Sequence, residues 1–149
     1  MLKPRWPLHA ARRFEGSLEQ LASIREFINE VARQYGCGEY DIFALELACD
    51  EAAANVFNHA FEGKRGRLDF EIWRDEESVT VRFRYGGKAF DPEDVPEPEL
   101  DVPIEARRVG GLGLYFMRQL MNEVVFEFSD AAGNVLTMRR VLTNESEEH

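Results

Sequence analysis

Leu45-Glu46-Leu47-Ala48-Cys49-Asp50-Glu51-Ala52-Ala53-Ala54-Asn55-Val56-Phe57-Asn58-His59-Ala60-Phe61 is the stretch that decides the fold. Leu45, Ala48, Cys49, Ala52, Val56 and Ala60 recur at the spacing of one helical face. Glu51, Asn55 and His59 follow at intervals of four, so a helix sets them in one polar line beside that face. Two readings fit. The line is either the solvent edge of a buried helix, as on any amphipathic helix, or the floor of a polar site.

The elements on either side are legible from the same rules. Upstream, residues 8–14 fit a short strand. Ser17 is a candidate N-cap with Gln20 at the capping-box position. A helix over 18–35 follows, with Leu18, Leu21, Ile24, Ile28 and Val31 on one side. Gly36-Cys37-Gly38 ends it, and the central helix is expected from Tyr40 to Phe61.

Downstream, Glu62-Gly63-Lys64-Arg65-Gly66 reads as a turn. Strand 67–74 alternates Leu68, Phe70 and Ile72 with polar residues. Strand 78–85 alternates Val79, Val81, Phe83 and Tyr85 with Thr80, Arg82 and Arg84, and Asp75-Glu76-Glu77 suits the hairpin between them. One apolar face on each predicts an antiparallel pair covered on one side. Residues 86–111 are bounded by Gly86-Gly87 and Gly110-Gly111 and are acidic and proline-rich. A loop of that length in a compact domain is either functional or a disordered surface excursion. Gly110-Gly111-Leu112-Gly113-Leu114 opens a helix to Met121, and glycines at a helix start let backbone N–H groups approach an anion. Strands 123–129 and 134–142 close the fold. Residues 1–7 and 143–149 read as flexible termini around one domain, 8–142.

Composition restricts the function classes. A chain of 149 residues, 44% hydrophobic and 31% charged, suits one soluble domain with an ordinary core. The net charge of −10 argues against nucleic acid as a partner and is compatible with basic protein partners. No run is long enough for a membrane span, and the N-terminus has no apolar leader. The two cysteines, Cys37 and Cys49, indicate neither a disulfide framework nor a metal site, so the cytoplasm is the expected compartment.

A polar helix line facing a glycine-opened helix suggests phosphate chemistry. A carboxylate beside bound phosphate needs separate work, and Glu51 suits a general base that takes a proton from an attacking hydroxyl. Asn55 offers a neutral oxygen to Mg²⁺, which keeps few protein ligands. His59 suits a donor to phosphate, and equally an ordinary surface or core histidine.

The chain resembles the Bergerat-fold ATP-binding family shared by gyrase and histidine kinases, and within it the bacterial anti-sigma-factor serine kinases. The resemblance covers residues 8–142. It rests on Asp50-Glu51-Ala52-Ala53-Ala54-Asn55-Val56-Phe57-Asn58-His59-Ala60 as the N box and Ala89-Phe90-Asp91-Pro92 as the end of the first glycine box. Gly111-Leu112-Gly113-Leu114 with Leu120-Met121-Asn122-Glu123-Val124 resembles the second glycine box and its sequel, and Asn134-Val135-Leu136-Thr137-Met138 the last strand.

The resemblance implies an α/β (α+β) two-layer sandwich, with helices on one face of a mixed, mainly antiparallel sheet. It makes Glu51 the general base and Asn55 the Mg²⁺ ligand. It puts Gly87, Gly111 and Gly113 around the nucleotide, with Thr137 near the adenine, and His59, Leu112 and Leu114 complete the expected nucleotide-binding set. It implies ATP and Mg²⁺ as cofactors, phosphorylation of a serine on a STAS-type anti-sigma-factor antagonist, a sigma factor as second partner, and a homodimer. In one place the chain departs from the pattern. Tyr85 stands where members carry an aspartate that accepts from the adenine amino group. Ala89 for glycine and Asn122 for aspartate are milder changes. Two functions follow: an active serine kinase, or a partner-switching module that binds ATP weakly or not at all. A weaker third is a phosphatase-control module or another fused-domain relative expressed alone.

Overall fold

A computed structural model describes residues 5–89, 111–129 and 133–143, without the side chains of 111 and 112. The stretch 90–110, with Phe90, Asp91 and Pro92, the turn 130–132 and the tail from 144 lie outside the described residues. So do residues 1–4.

Strand β1 spans Leu8–Gly16, and a 3-10 turn at Leu18–Gln20 leads into α1, Leu21–Gln34. Helix α2 is Glu39–Asn55 and continues as a π-helical turn, Val56–Ala60. Strands β2 (Gly66–Arg74) and β3 (Ser78–Tyr85) follow, then α3 (Gly111–Leu120), β4 (Glu123–Ser129) and β5 (Gly133–Val141). The sheet order is β1-β2-β3-β5-β4. Every described pairing in it is antiparallel. The β4–β5 hairpin enters with β5 against β3, which leaves β4 at one edge and β1 at the other.

Period-two alternation makes the sheet one-sided. Phe14, Phe70, Ile72, Val81, Phe83, Leu136 and Met138 are buried under the helices. The opposite face carries His9, Arg13, Asp69, Glu71, Arg82 and Thr137, linked by pairs such as Arg13–Asp69 at 2.8 Å. Helix α2 lies between α1 and α3, and small residues on it (Ala44, Ala48, Cys49, Ala52, Ala53) are buried. Small side chains let the neighbouring helices and the sheet approach closely on three sides. Burying a side chain the size of Phe70 or Phe83 contributes about 1.5–3 kcal/mol.

Local chemistry sets the boundaries. Helix α1 ends in a Schellman motif: Cys37 N–H donates to Ala32 O at 3.0 Å and Gly36 N–H to Arg33 O at 3.1 Å, with Gly36 at φ +79°. The β2–β3 turn is held by the Asp75 carboxylate, which accepts from the N–H groups of Glu77 (2.9 Å) and Ser78 (2.7 Å). The expected capping box does not form. Ser17 has the N-cap's extended backbone, but its hydroxyl donates to the Glu19 carboxylate within the 3-10 turn. The central helix also departs from the regular helix expected to Phe61. After Asn55 it widens, with Phe61 N–H donating to Val56 O at 3.0 Å.

A buried ion pair closes the far end of the helix layer. Arg140 Nε donates to Asp41 Oδ1 at 2.9 Å, and an Arg140 Nη donates to the Leu120 carbonyl at 2.5 Å. The backbone N–H of Thr143 donates to Asp41 Oδ2 at 3.0 Å. The first turn of α2, the last turn of α3 and the end of β5 thus meet at one carboxylate.

Candidate functional site

Helices α2 and α3 run antiparallel, since Asp41 is tied to Leu120 through Arg140 and Glu51 meets Gly113. A Cβ added at Gly113 would lie 2.7 Å from Glu51 Oε2. Glycine in the first turn of α3 therefore leaves the space that the carboxylate uses. Glu51 is half-buried. Burial pushes its carboxyl above the ordinary 4.5, and the charge of neighbouring Asp50 pushes it the same way. Asp50 itself points to the opposite flank of α2, where Arg25 of α1 holds it at 2.6 Å. Adjacent carboxylates thus face different helices, one fixed and one open to chemistry.

Asn55 is half-buried one turn beyond Glu51, on the same flank. His59 falls in the π-helical turn that begins at Val56 and is exposed, whereas Glu51 and Asn55 are half-buried. The amphipathic spacing alone gives no sign of this widening.

Gly87 stands against the end of that turn. Its φ is +91°, and a Cβ there would collide with the Ala60 carbonyl oxygen. The neighbouring Lys88 N–H donates to the same oxygen at 3.0 Å. Asn134 Nδ2 donates to the Gly87 carbonyl at 3.2 Å. Tyr85 ends β3 on the helix-facing side, only 6% exposed, edge-on to Phe61 with ring centroids 6.5 Å apart. Burial pushes its phenol up to about 12.

Two of the other expected site residues sit elsewhere. Thr137 shares the outer sheet face, where Arg82 Nε reaches its hydroxyl at 3.4 Å, because β5 alternates and Leu136 and Met138 take the inner positions. That corrects its expected place near the adenine. The inner polar residue of β5 is Asn134, 4% exposed and directly opposite Tyr85 in the ladder. Its signal was present in the sequence, since Asn134 has the parity of Leu136 and Met138. Leu114 is 4% exposed and part of the hydrophobic core. Gly111 is the first residue of α3, with Leu112 next to it. Asn122 uses its side-chain oxygen to accept the Val141 N–H at 2.7 Å, a task an aspartate oxygen performs equally well.

The donor set suits a nucleotide's phosphate end. It offers a half-buried acid, an amide oxygen and glycine backbone at the start of a helix. Among the described residues no three His, Cys, Asp or Glu form a metal-holding group. Where the resemblance expects a carboxylate for the base, Tyr85 places a buried ring, so the residues there fit a base less well. Among the described residues no helix is long and apolar enough to cross a membrane.

Comparison with known proteins supplies an independent line. Residues 14–140 match the family model of the histidine kinase-like ATPase domain. A serine-protein kinase RsbW of Listeria innocua is 30% identical over 124 residues, covering 80% of this chain and 79% of the relative. That of Bacillus pumilus is 30% identical over 138 residues, covering 88% and 84%. The RsbU and RsbW domains of a Mycobacterium tuberculosis protein superpose with a TM-score of 0.63 at 17% identity, over 95% of this chain. The chain spans only 34% of that longer chain, and the likeness is one of fold.

Proposed function

The chain belongs to the histidine kinase-like ATPase domain family, and from that premise we propose that residues 8–142 form an anti-sigma-factor-type serine kinase domain. It uses ATP and Mg²⁺ to phosphorylate a serine of a STAS-type antagonist and binds a sigma factor in exchange. The proposed setting is the cytoplasm and the proposed assembly a homodimer. RsbW-named relatives at 30% identity over most of both chains support this reading.

The observation that carries it is the packing of the Glu51 carboxylate on Gly113. Glu51 is the group assigned to take the serine hydroxyl proton as the oxygen attacks the terminal phosphorus and ADP leaves. Its raised pKa suits that role, because a stronger base accepts the proton more readily. The side-chain oxygen of Asn55 is the assigned protein ligand for Mg²⁺, which supplies charge neutralisation on the phosphates. Backbone N–H groups around Gly87, Gly111 and Gly113 are assigned to the phosphates. Transfer of phosphate from ATP to a STAS-domain serine, with Glu51→Gln as the inactive control, tests the proposal.

Tyr85 favours a second reading, in which the domain docks its partners but holds nucleotide weakly. Losing a buried charge-assisted hydrogen bond to the base weakens binding by about 1.5–3 kcal/mol, ten- to a hundredfold. Titration of ATP by calorimetry separates the two readings.

A further inference from the structure

The outward surface of α2 carries two exposed aromatic side chains, one of which, Tyr40, also has the Arg140 guanidinium over its ring at 5.3 Å. Phe43 and Tyr40 are 57% and 55% exposed, the two most exposed large hydrophobic side chains among the described residues. They lie one turn apart on α2, and half-buried Leu47 continues the stripe at the next turn. Isolated exposed apolar residues need no explanation, but a stripe at helical spacing is the pattern of a docking face.

Beside that stripe, between α1 and α2, runs a groove of about 360 Å³ lined by Arg25, Glu26, Asn29, Glu30 and Glu46. Its basic side chains are already engaged. Arg25 pairs with Asp50, and Arg33, which donates to Asn29, pairs with Glu39. Asn29 Nδ2 donates to Glu46 Oε1 at 2.7 Å, which orients that carboxylate without neutralising it. Glu26 and Glu30 are four apart on one helix, an arrangement that destabilises an isolated helix. Glu46 faces them across the groove. Glu46 also acts on Arg25 and Arg33, yet the groove lining carries three carboxylates against one arginine, an excess that an incoming cation relieves.

We propose that this surface docks a basic amphipathic helix of a partner protein. The partner's apolar stripe would lie on Tyr40, Phe43 and Leu47, and its Lys or Arg side chains would enter the groove toward Glu26, Glu30 and Glu46. Charge complementarity selects this occupant. A second copy of this acidic chain would bring like charge to the groove, and a membrane surface, itself anionic, would be repelled. The inference does not depend on whether the chain transfers phosphate, since neither the stripe nor the groove lining includes Glu51 or Asn55.

The test uses the full chain and a synthetic helix of leucine and lysine with leucines at i, i+3, i+4 and i+7. A scrambled peptide of the same composition and a leucine–glutamate peptide of the same pattern are controls. Shift mapping by NMR is expected to place the patterned basic peptide on residues 26–30 and 40–47. Its affinity should exceed that of the scrambled peptide at least tenfold and fall at least tenfold in Phe43→Ser and in Glu30→Lys. Phe43 is mostly exposed, so that variant keeps its core, which circular dichroism verifies. Equal binding of the scrambled peptide, no binding, or shifts centred on the outer sheet face or β4 would overturn the proposal. So would a parent dimer in sedimentation that Phe43→Ser converts to monomer, because a second copy would then be the occupant.

Discussion

The Glu51 carboxylate occupies the space that a side chain at Gly113 would fill, with Oε2 2.7 Å from the position of a Cβ there. The general base proposed for α2 and the glycine that opens α3 are therefore one steric unit. Gly113→Ala should displace the flexible end of Glu51 while adding helix propensity to α3, worth about 1 kcal/mol. The melting temperature is expected to change little and the phosphate-transfer rate to fall at least tenfold, both measured on the same preparation.

Gly87 should behave in the opposite way. Its φ of +91° disfavours any L side chain, and the obstacle is the Ala60 backbone, which cannot rotate aside. Gly87→Ala should destabilise the fold by about 1–3 kcal/mol, read as a shifted urea midpoint at constant slope. An unchanged midpoint would show that the β3 exit moves freely.

Glu51 also links stability to pH. Its folded pKa lies above the ordinary 4.5, so the fold favours the protonated form. That stabilisation is complete below the ordinary value and is lost as pH rises through the raised one. Glu51→Gln keeps a neutral group at every pH. It should melt at the parent's temperature in acid and above it at neutral pH, a gain in stability coupled to loss of transfer. In the parent, the transfer rate should rise with pH through a midpoint above 4.5. Asp50→Asn should lower that midpoint, because one of the causes of the upward shift is removed.

Asp41 and Arg140 offer a test remote from the chemistry. Asp41 is 1% exposed and Arg140 8%. Removing one partner leaves a buried charge without its counterpart, at about 3–5 kcal/mol. Arg140→Met should lower the urea midpoint far more than Glu26→Gln on exposed α1, and the Asp41→Asn, Arg140→Met double variant should recover part of the loss. Additive losses would mean that the two groups do not stabilise each other.

Tyr85→Asp should tighten ATP binding about tenfold by calorimetry if this position meets the adenine amino group. Unchanged affinity would separate Tyr85 from the base.

Much of this architecture is written in short-range pattern. The alternation of Val79, Val81, Phe83 and Tyr85 determines which face of β3 is buried, and Gly36 marks the end of α1. The Glu51–Asn55 spacing places both on the flank of α2 that meets α3. What escaped has a physical cause in each instance. The π-helical turn after Asn55, in which Val56, Phe57 and Ala60 are buried, is not encoded in an i, i+4 spacing. The resemblance places Thr137 near the adenine, but strand parity gives the inner position to Asn134. The Asp41–Arg140 pair joins residues 99 positions apart, beyond the reach of any local rule.

Single-turnover transfer of phosphate from saturating ATP–Mg²⁺ to a STAS-domain serine, in the parent and in Glu51→Gln, is the most direct measurement. A transfer-competent parent, a loss of about 10²–10⁴-fold in the variant and matching ATP affinities are the predicted result. Equal transfer by both proteins, or no transfer by the parent with ATP bound, would contradict it.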